Sequence, residues 1–169
     1  GGDIDNGADT FSFAYFDESS STGNTTDVWT AEISSVSSGR VHEFGKGLIM
    51  ARESLDPNAR YFSVGRTADE HGLRVQWRDQ FGANRVLREP NVSYRENWNF
   101  IKMELTHFNN GQNTLCRGYV SYTGAEGTWI KVGEDVTIYA PLKFKGLAAA
   151  SNSNGGRYSA FDFINLRRG

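Results

Sequence analysis

The chain has one cysteine in 169 residues, Cys116. A lone thiol closes no internal disulfide, and with no second cysteine there is neither a CxxC zinc site nor a redox pair. The cysteine count leaves the compartment open. No apolar run approaches the ~20 residues a membrane-crossing helix needs, so no membrane insertion is expected. The opening GGDIDNGAD is neither a signal nor a transit peptide, so an exported form would have lost its signal already. Charge of either sign is not in surplus: the net charge is -2 with a pI near 5.9, which argues against a bulk electrostatic partner such as duplex nucleic acid or an anionic membrane. His42, His71 and His107 are scattered, with no H-x-x-x-H spacing and no serine elbow beside them, so a catalytic triad has no support. The E-x-D-x-x-E strand of the sandwich glucanases, which sets two carboxyl groups about 5 Å apart for retaining hydrolysis, does not occur. A phosphate-cradling glycine loop is missing too.

Helical periodicity is equally scarce. Proline occurs three times and methionine twice, against 19 glycines and an aromatic content of 13%, a composition that suits β structure. Period-two segments predict strands near 10–16, 28–37, 46–53, 60–67, 72–79, 98–107, 114–121, 128–132, 143–150 and 158–167. Between them lie the turn-forming stretches SSSTGNTT, LDPNA, TADEHG, FNNGQN, TGAEG and SNSNGG. Strands in this number, joined by short polar turns, predict an all-β fold: an antiparallel β-sandwich or jelly roll with few or no helices. No repeat or linker divides residues 1–169, which are read as one domain.

Register follows from parity. If TADEHG closes a hairpin, Phe62 meets Trp77 and Val64 meets Val75 on the core side, so Tyr61 meets Arg78 and Ser63 meets Gln76 on the other face. An unpaired buried Arg52 would cost several kcal/mol, which turns it outward beside Tyr61, together with Leu48 and Met50. The outer face then carries Arg52, Tyr61, Gln76 and Arg78: a ring for stacking on a pyranose and bidentate donors for hydroxyls, carboxylates or sulfates. Arginine outnumbers lysine 13 to 5, in keeping with planar recognition. A solvated face with cross-strand cation–π pairs is the plainer reading.

DIDNGAD places Asp3, Asp5, Asn6 and Asp9 in one turn-rich stretch, oxygen donors of the kind calcium prefers, although it lacks the full EF-hand loop. Asp162, near the other end of the chain, adds a ligand if the first and last strands are neighbours. A structural Ca²⁺ site is therefore expected at Asp3, Asp5, Asp9 and Asp162. The stretch from Ser121 to Gly133 resembles a degraded S-x-D-x-G-x-T-W hairpin, with Thr123 where the Asp belongs and extra residues in the turn, and it is read as architectural. Asn24 and Asn91 match the glycosylation acceptor pattern, which has meaning only in a eukaryotic source.

The order GGDIDNGADTFSFAYF, KGLIMARES, RYFSVG, GLRVQWR, W-x-x-I-K-M-E-L, GYVSYTGAEGTWIKVG, FKGLAAASNSNGG and AFDFINL resembles the concanavalin A-like jelly rolls of the regulation-of-enolase-like, unknown-function kind. These occur in secreted bacterial proteins that bind or process polysaccharides. The resemblance implies two antiparallel sheets, one curved, with the Arg of GLIMAR and the polar row of GLRVQWR on or near the concave face. It also implies a further strand before GGDIDNGAD, dispensable, trimmed, or supplied by another molecule through strand addition. The expectation is a secreted or cell-surface, lectin-like, non-catalytic domain that takes a polysaccharide through Arg52, Tyr61, Gln76 and Arg78. The alternative is a structural or adhesive subunit completed by a neighbouring chain, including another copy of itself, and a polysaccharide hydrolase or lyase ranks last.

Overall fold

A computed structural model of the chain describes all residues except 1–2, 5–6, 21, 36–41, 69–70, 92–97 and 153–157. The period-two segments form strands: β1 Ser12–Asp17, β2 Thr26–Ser35, β3 Lys46–Arg52, β4 Tyr61–Thr67, β5 Leu73–Arg78, β6 Val86–Arg88, β7 Phe100–Phe108, β8 Asn113–Ser121, β9 Ile130–Ile138, β10 Phe144–Ala150 and β11 Phe161–Arg168. Two antiparallel sheets result, ordered β1-β10-β3-β4-β5-β6 and β11-β2-β7-β8-β9, and no helix occurs among the described residues. The fold is an antiparallel β-sandwich. The short β6 lay outside the expected strands, and β9 runs past the expected 128–132.

The main core lies between the sheets. Ile49, Ala51, Phe62, Val64, Val75 and Trp77 from one sheet meet Trp29, Ala31, Ile33, Ile101, Met103, Leu105, Cys116 and Val120 from the other. Phe62 and Trp77 stack with ring centroids 6.3 Å apart, worth about 0.5–1.5 kcal/mol beyond the area they bury. Gly118 on β8 lets the layers close, because a Cβ there would collide with Val75.

The two sheets differ in their outer faces. In β7 the pattern alternates between buried and half-exposed residues, whereas every residue of β3 and β5 is buried. A strand buried on both faces needs a third layer. The segment leading into β1 supplies it: Ile4, with Phe11 and Phe13 alongside, packs on Leu48, Met50, Tyr61, Ala148 and Ala150 in a second apolar cluster.

Candidate functional site

The β4–β5 register is the expected one, with Tyr61 opposite Arg78, Phe62 opposite Trp77 and Ser63 opposite Gln76. Arg52, opposite Tyr61 on β3, shares their face. The exposure expected for this row is corrected by the structure: Arg52 is 1% exposed, and Tyr61, Gln76 and Arg78 are 0% exposed. Asp9 is the reason. Arg78 donates from Nη2 to Asp9 Oδ1 at 2.7 Å and from Nη1 to Asp9 Oδ2 at 2.9 Å, while Arg52 Nη1 reaches the same Oδ2 at 2.7 Å. Gln76 Nε2 bonds to the Ile4 carbonyl at 3.3 Å and to the Tyr61 hydroxyl at 3.1 Å. The Tyr61 ring lies between the guanidinium groups, 5.5 Å from that of Arg52 and 5.2 Å from that of Arg78. Burial, reinforced by the Asp9 charge, pushes its hydroxyl well above the usual phenol range.

The same bonds bear on two of the ligands expected for calcium. Asp9 already accepts from two arginines, and Asp3 Oδ1 accepts from the buried Lys46 Nζ at 3.1 Å and from the Ile4 amide at 2.8 Å. Asp162 sits on the edge strand β11, opposite Ser34, and Asp5 lies outside the described residues. Among the described residues no three His, Cys, Asp or Glu side chains converge as a metal site. Carboxylates committed to cations offer Ca²⁺ little free charge, which counts against Asp3 and Asp9 as its ligands.

Acidic residues do cluster elsewhere. Glu18 and Asp27 share Lys145, which is 2.7 Å from Glu18, and both also pair with Arg168. His107 Nε2 lies 3.4 Å from Asp27. His107, then Lys145 and Arg168, hold the Asp27 carboxyl far below the usual carboxylate range against the opposing effect of burial. The adjoining cavity of about 30 Å³ admits one or two waters. Ion pairing holds Asp27 ionised, and its bonds to Lys145 and Arg168 tie β2 to β10 and to the end of β11.

The outer face of the five-stranded sheet is the accessible one. Pairing across all five strands lines up Arg167, Thr30, Lys102, Tyr119 and Lys131 in one row. Beside it lies a cleft of about 180 Å³, lined by Thr30, Glu32, Phe100, Thr123, Trp129, Asn165 and Arg167 among others. Each wall has a local cause. A register shift between Ile164 and Arg167 and the left-handed backbone of Asn165, at φ 53°, aim Asn165 and Arg167 at the cleft, as β-bulges beside sites do. The hairpin after β8 is held by hydroxyls: Ser121 Oγ accepts from the Thr123 and Gly124 amides at 3.1 and 2.9 Å and lies 2.6 Å from Thr128 Oγ1. Gly124 has φ +72°, and a Cβ there would stand 2.5 Å from the Phe100 ring. This hairpin delivers Trp129 over Lys102, whose Nζ is 4.7 Å from the indole and 4.5 Å from the Tyr119 ring. Among the described residues neither Glu32 nor Arg167 pairs with an opposite charge. The sequence reading takes Ser121, Thr123 and Trp129 as parts of an architectural hairpin and assigns none of these side chains to a site; the alternation Phe100, Lys102, Glu104 on β7 and the tryptophan closing the hairpin are the available signals.

No family model matches the chain, and no curated protein matches it. Among solved structures, the leech intramolecular trans-sialidase complexed with 2,7-anhydro-Neu5Ac aligns over 78% of this chain at 14% identity with a TM-score of 0.30. The chain spans 22% of the length of that structure. A likeness of this size carries no argument about site or activity.

Proposed function

We propose that the protein is a non-catalytic, carbohydrate-binding β-sandwich of the concanavalin A-like group, acting outside the cell, and that its sugar site is the outer face of the five-stranded sheet. The observation that carries this reading is the cleft where Trp129 and Phe100 stand beside Arg167, Glu32 and Thr30. Aromatic faces stack on the apolar side of a pyranose, while the guanidinium and the carboxylate serve its hydroxyls as paired donors and acceptor. At about 180 Å³ the cleft is smaller than the ~300–1,000 Å³ of drug-sized sites, which suits one sugar ring or the end of a chain. Among the described residues Glu32 is the single carboxylate on its lining, whereas glycoside hydrolysis by the usual route uses two.

A glycan array followed by calorimetry tests this. The parent protein is expected to bind a defined glycan set, and Trp129→Ala and Arg167→Ala are each expected to weaken it by ~10-fold or more, the loss of one buried contact or charge-assisted bond. Undiminished binding by both variants, or no binding by the parent, overturns the assignment.

A further inference from the structure

The outer face of the five-stranded sheet carries two cations that the chain does not neutralise itself. Neighbouring cations on that face are matched internally: Arg117 holds Glu104 at 2.7 Å and Asp135 at 3.0 Å, and Asp135 also serves Lys131. Lys102 and Arg167 differ. Lys102 is half-buried, with its Nζ between the Tyr119 and Trp129 rings, and Arg167 is set at the cleft by the register shift in β11. Among the described residues neither has a carboxylate in ion-pair reach. Arg167 lies opposite Thr30, and Thr30 lies opposite Lys102, so the two cations share a row with one strand between them, about 10 Å apart at the usual strand spacing. Glu32 belongs to that intervening strand, two residues from Thr30 and on the same face. The charge order across β11, β2 and β7 is therefore positive, negative, positive. An extended β-linked pyranose chain laid across the strands advances by close to one strand spacing per ring. Alternate rings then meet a cation, and the ring between them meets the Thr30 hydroxyl and the Glu32 carboxylate.

We propose that the ligand of this face is a linear acidic polysaccharide with a uronic acid at every second sugar, and that Arg167 and Lys102 take successive carboxylates. The inference rests on the sugar-cleft reading and names its ligand class. Arg167 offers a carboxylate paired N–H donors, while Lys102 offers a point charge, whose partial removal from water by two rings strengthens its attraction for an anion. Glu32 selects the spacing. A chain with an acid on every ring brings a like charge beside it on β2, whereas alternating acids present hydroxyls there. Lys131 stands in the same row, two strands beyond Lys102. It extends the pattern to a third carboxylate by exchanging its bridge to Asp135, an exposed pair of the kind that contributes little.

Calorimetry with three hexasaccharides tests this: one of hyaluronan, with a carboxylate on alternate rings; the same molecule with its carboxylates reduced to alcohols; and a β-linked hexaglucuronate with a carboxylate on every ring. The hyaluronan form is expected to bind more tightly than either of the others, by about 10-fold or more, and to weaken as salt rises. Lys102→Gln and Arg167→Gln, both outside the core, are each expected to remove most of its advantage over the reduced form. Glu32→Gln is expected to raise the affinity for hexaglucuronate and so to narrow the gap to hyaluronan. Equal binding of the acidic and reduced forms overturns the inference. So does an affinity that simply grows with the number of carboxylates and keeps the same ratio in Glu32→Gln. The two readings fail separately. A neutral glycan bound by the parent and lost in Trp129→Ala, with no preference for acids, keeps the cleft and sinks its acidic ligand. Hyaluronan binding that needs Lys102 and Arg167 but not Trp129 keeps the acidic ligand and removes the stacking contact.

Discussion

Asp9 and Asp27 are both acids held by cations. Removing one partner of a buried pair costs about 3–5 kcal/mol, because the remaining charge stays behind without water. For Asp27 the sign of the pH dependence is set by its lowered folded-state pKa. A carboxyl depressed on folding stabilises the native state above its unfolded value, near 4, and that stabilisation fades as pH falls through the folded value. The parent protein is therefore expected to lose thermal stability on acidification below about pH 4. Asp27→Asn should start lower at neutral pH and decline less steeply, and melting curves between pH 2 and 7 check this; parallel declines would remove Asp27 from the account. Sequence order shows the residues of this cluster but not their meeting, since Asp27 and Lys145 are 118 positions apart.

At the scale of elements, the central strands and the segment above them carry the main lesson. Parity in RYFSVGRT and GLRVQWRD assigns Phe62, Val64, Val75 and Trp77 to one face and Tyr61, Gln76 and Arg78 to the other, and the observed pairing agrees. What covers the second face is invisible to parity, which says which way a side chain points and nothing about what lies above it. The covering carboxylate lies 69 residues from Arg78, in a stretch whose composition suggests a metal loop. Ile4, 0% exposed, is the apolar anchor of that cover. Ile4→Ala is expected to cost about 2–5 kcal/mol if the segment cannot relax into the gap. Hydrogen exchange should locate the effect, with the amides of Asp9 and Thr10, which bond to Pro57 and Asp3, exchanging faster than those of β7 and β8. Uniform acceleration across the sheets would show that the cover is not a separate unit.

For the whole molecule, the two sheets enclose one thiol that reports on their separation. Cys116 is fully buried on β8, and burial pushes its pKa well up, so a thiol reagent should react only when the sandwich opens. Labelling rates in urea are expected to follow the loss of tryptophan signal; labelling ahead of that transition would reveal partial opening between the layers. The aromatic-lined cleft is also a property of the whole molecule. Its walls come from β2, β7, β11 and the hairpin before β9, and the row from Arg167 to Lys131 needs four strand pairings to hold at once. Among the described residues no helix is long and apolar enough to cross a membrane.

The sequence by itself determined the all-β class, most strand positions and the face to which each side chain of β4 and β5 belongs, because a period of two is a local property of the chain and the apolar row must be buried. Only the tertiary structure decided which polar face is open. The arginine row is sealed because a distant aspartate and isoleucine fold over it, and the five-stranded sheet is left accessible because, among the described residues, the hairpin that carries Trp129 leans over only part of its outer row. Both outcomes depend on long-range packing and charge pairing, whose energies are of the same order as those of the strands themselves but leave no periodic trace in the chain.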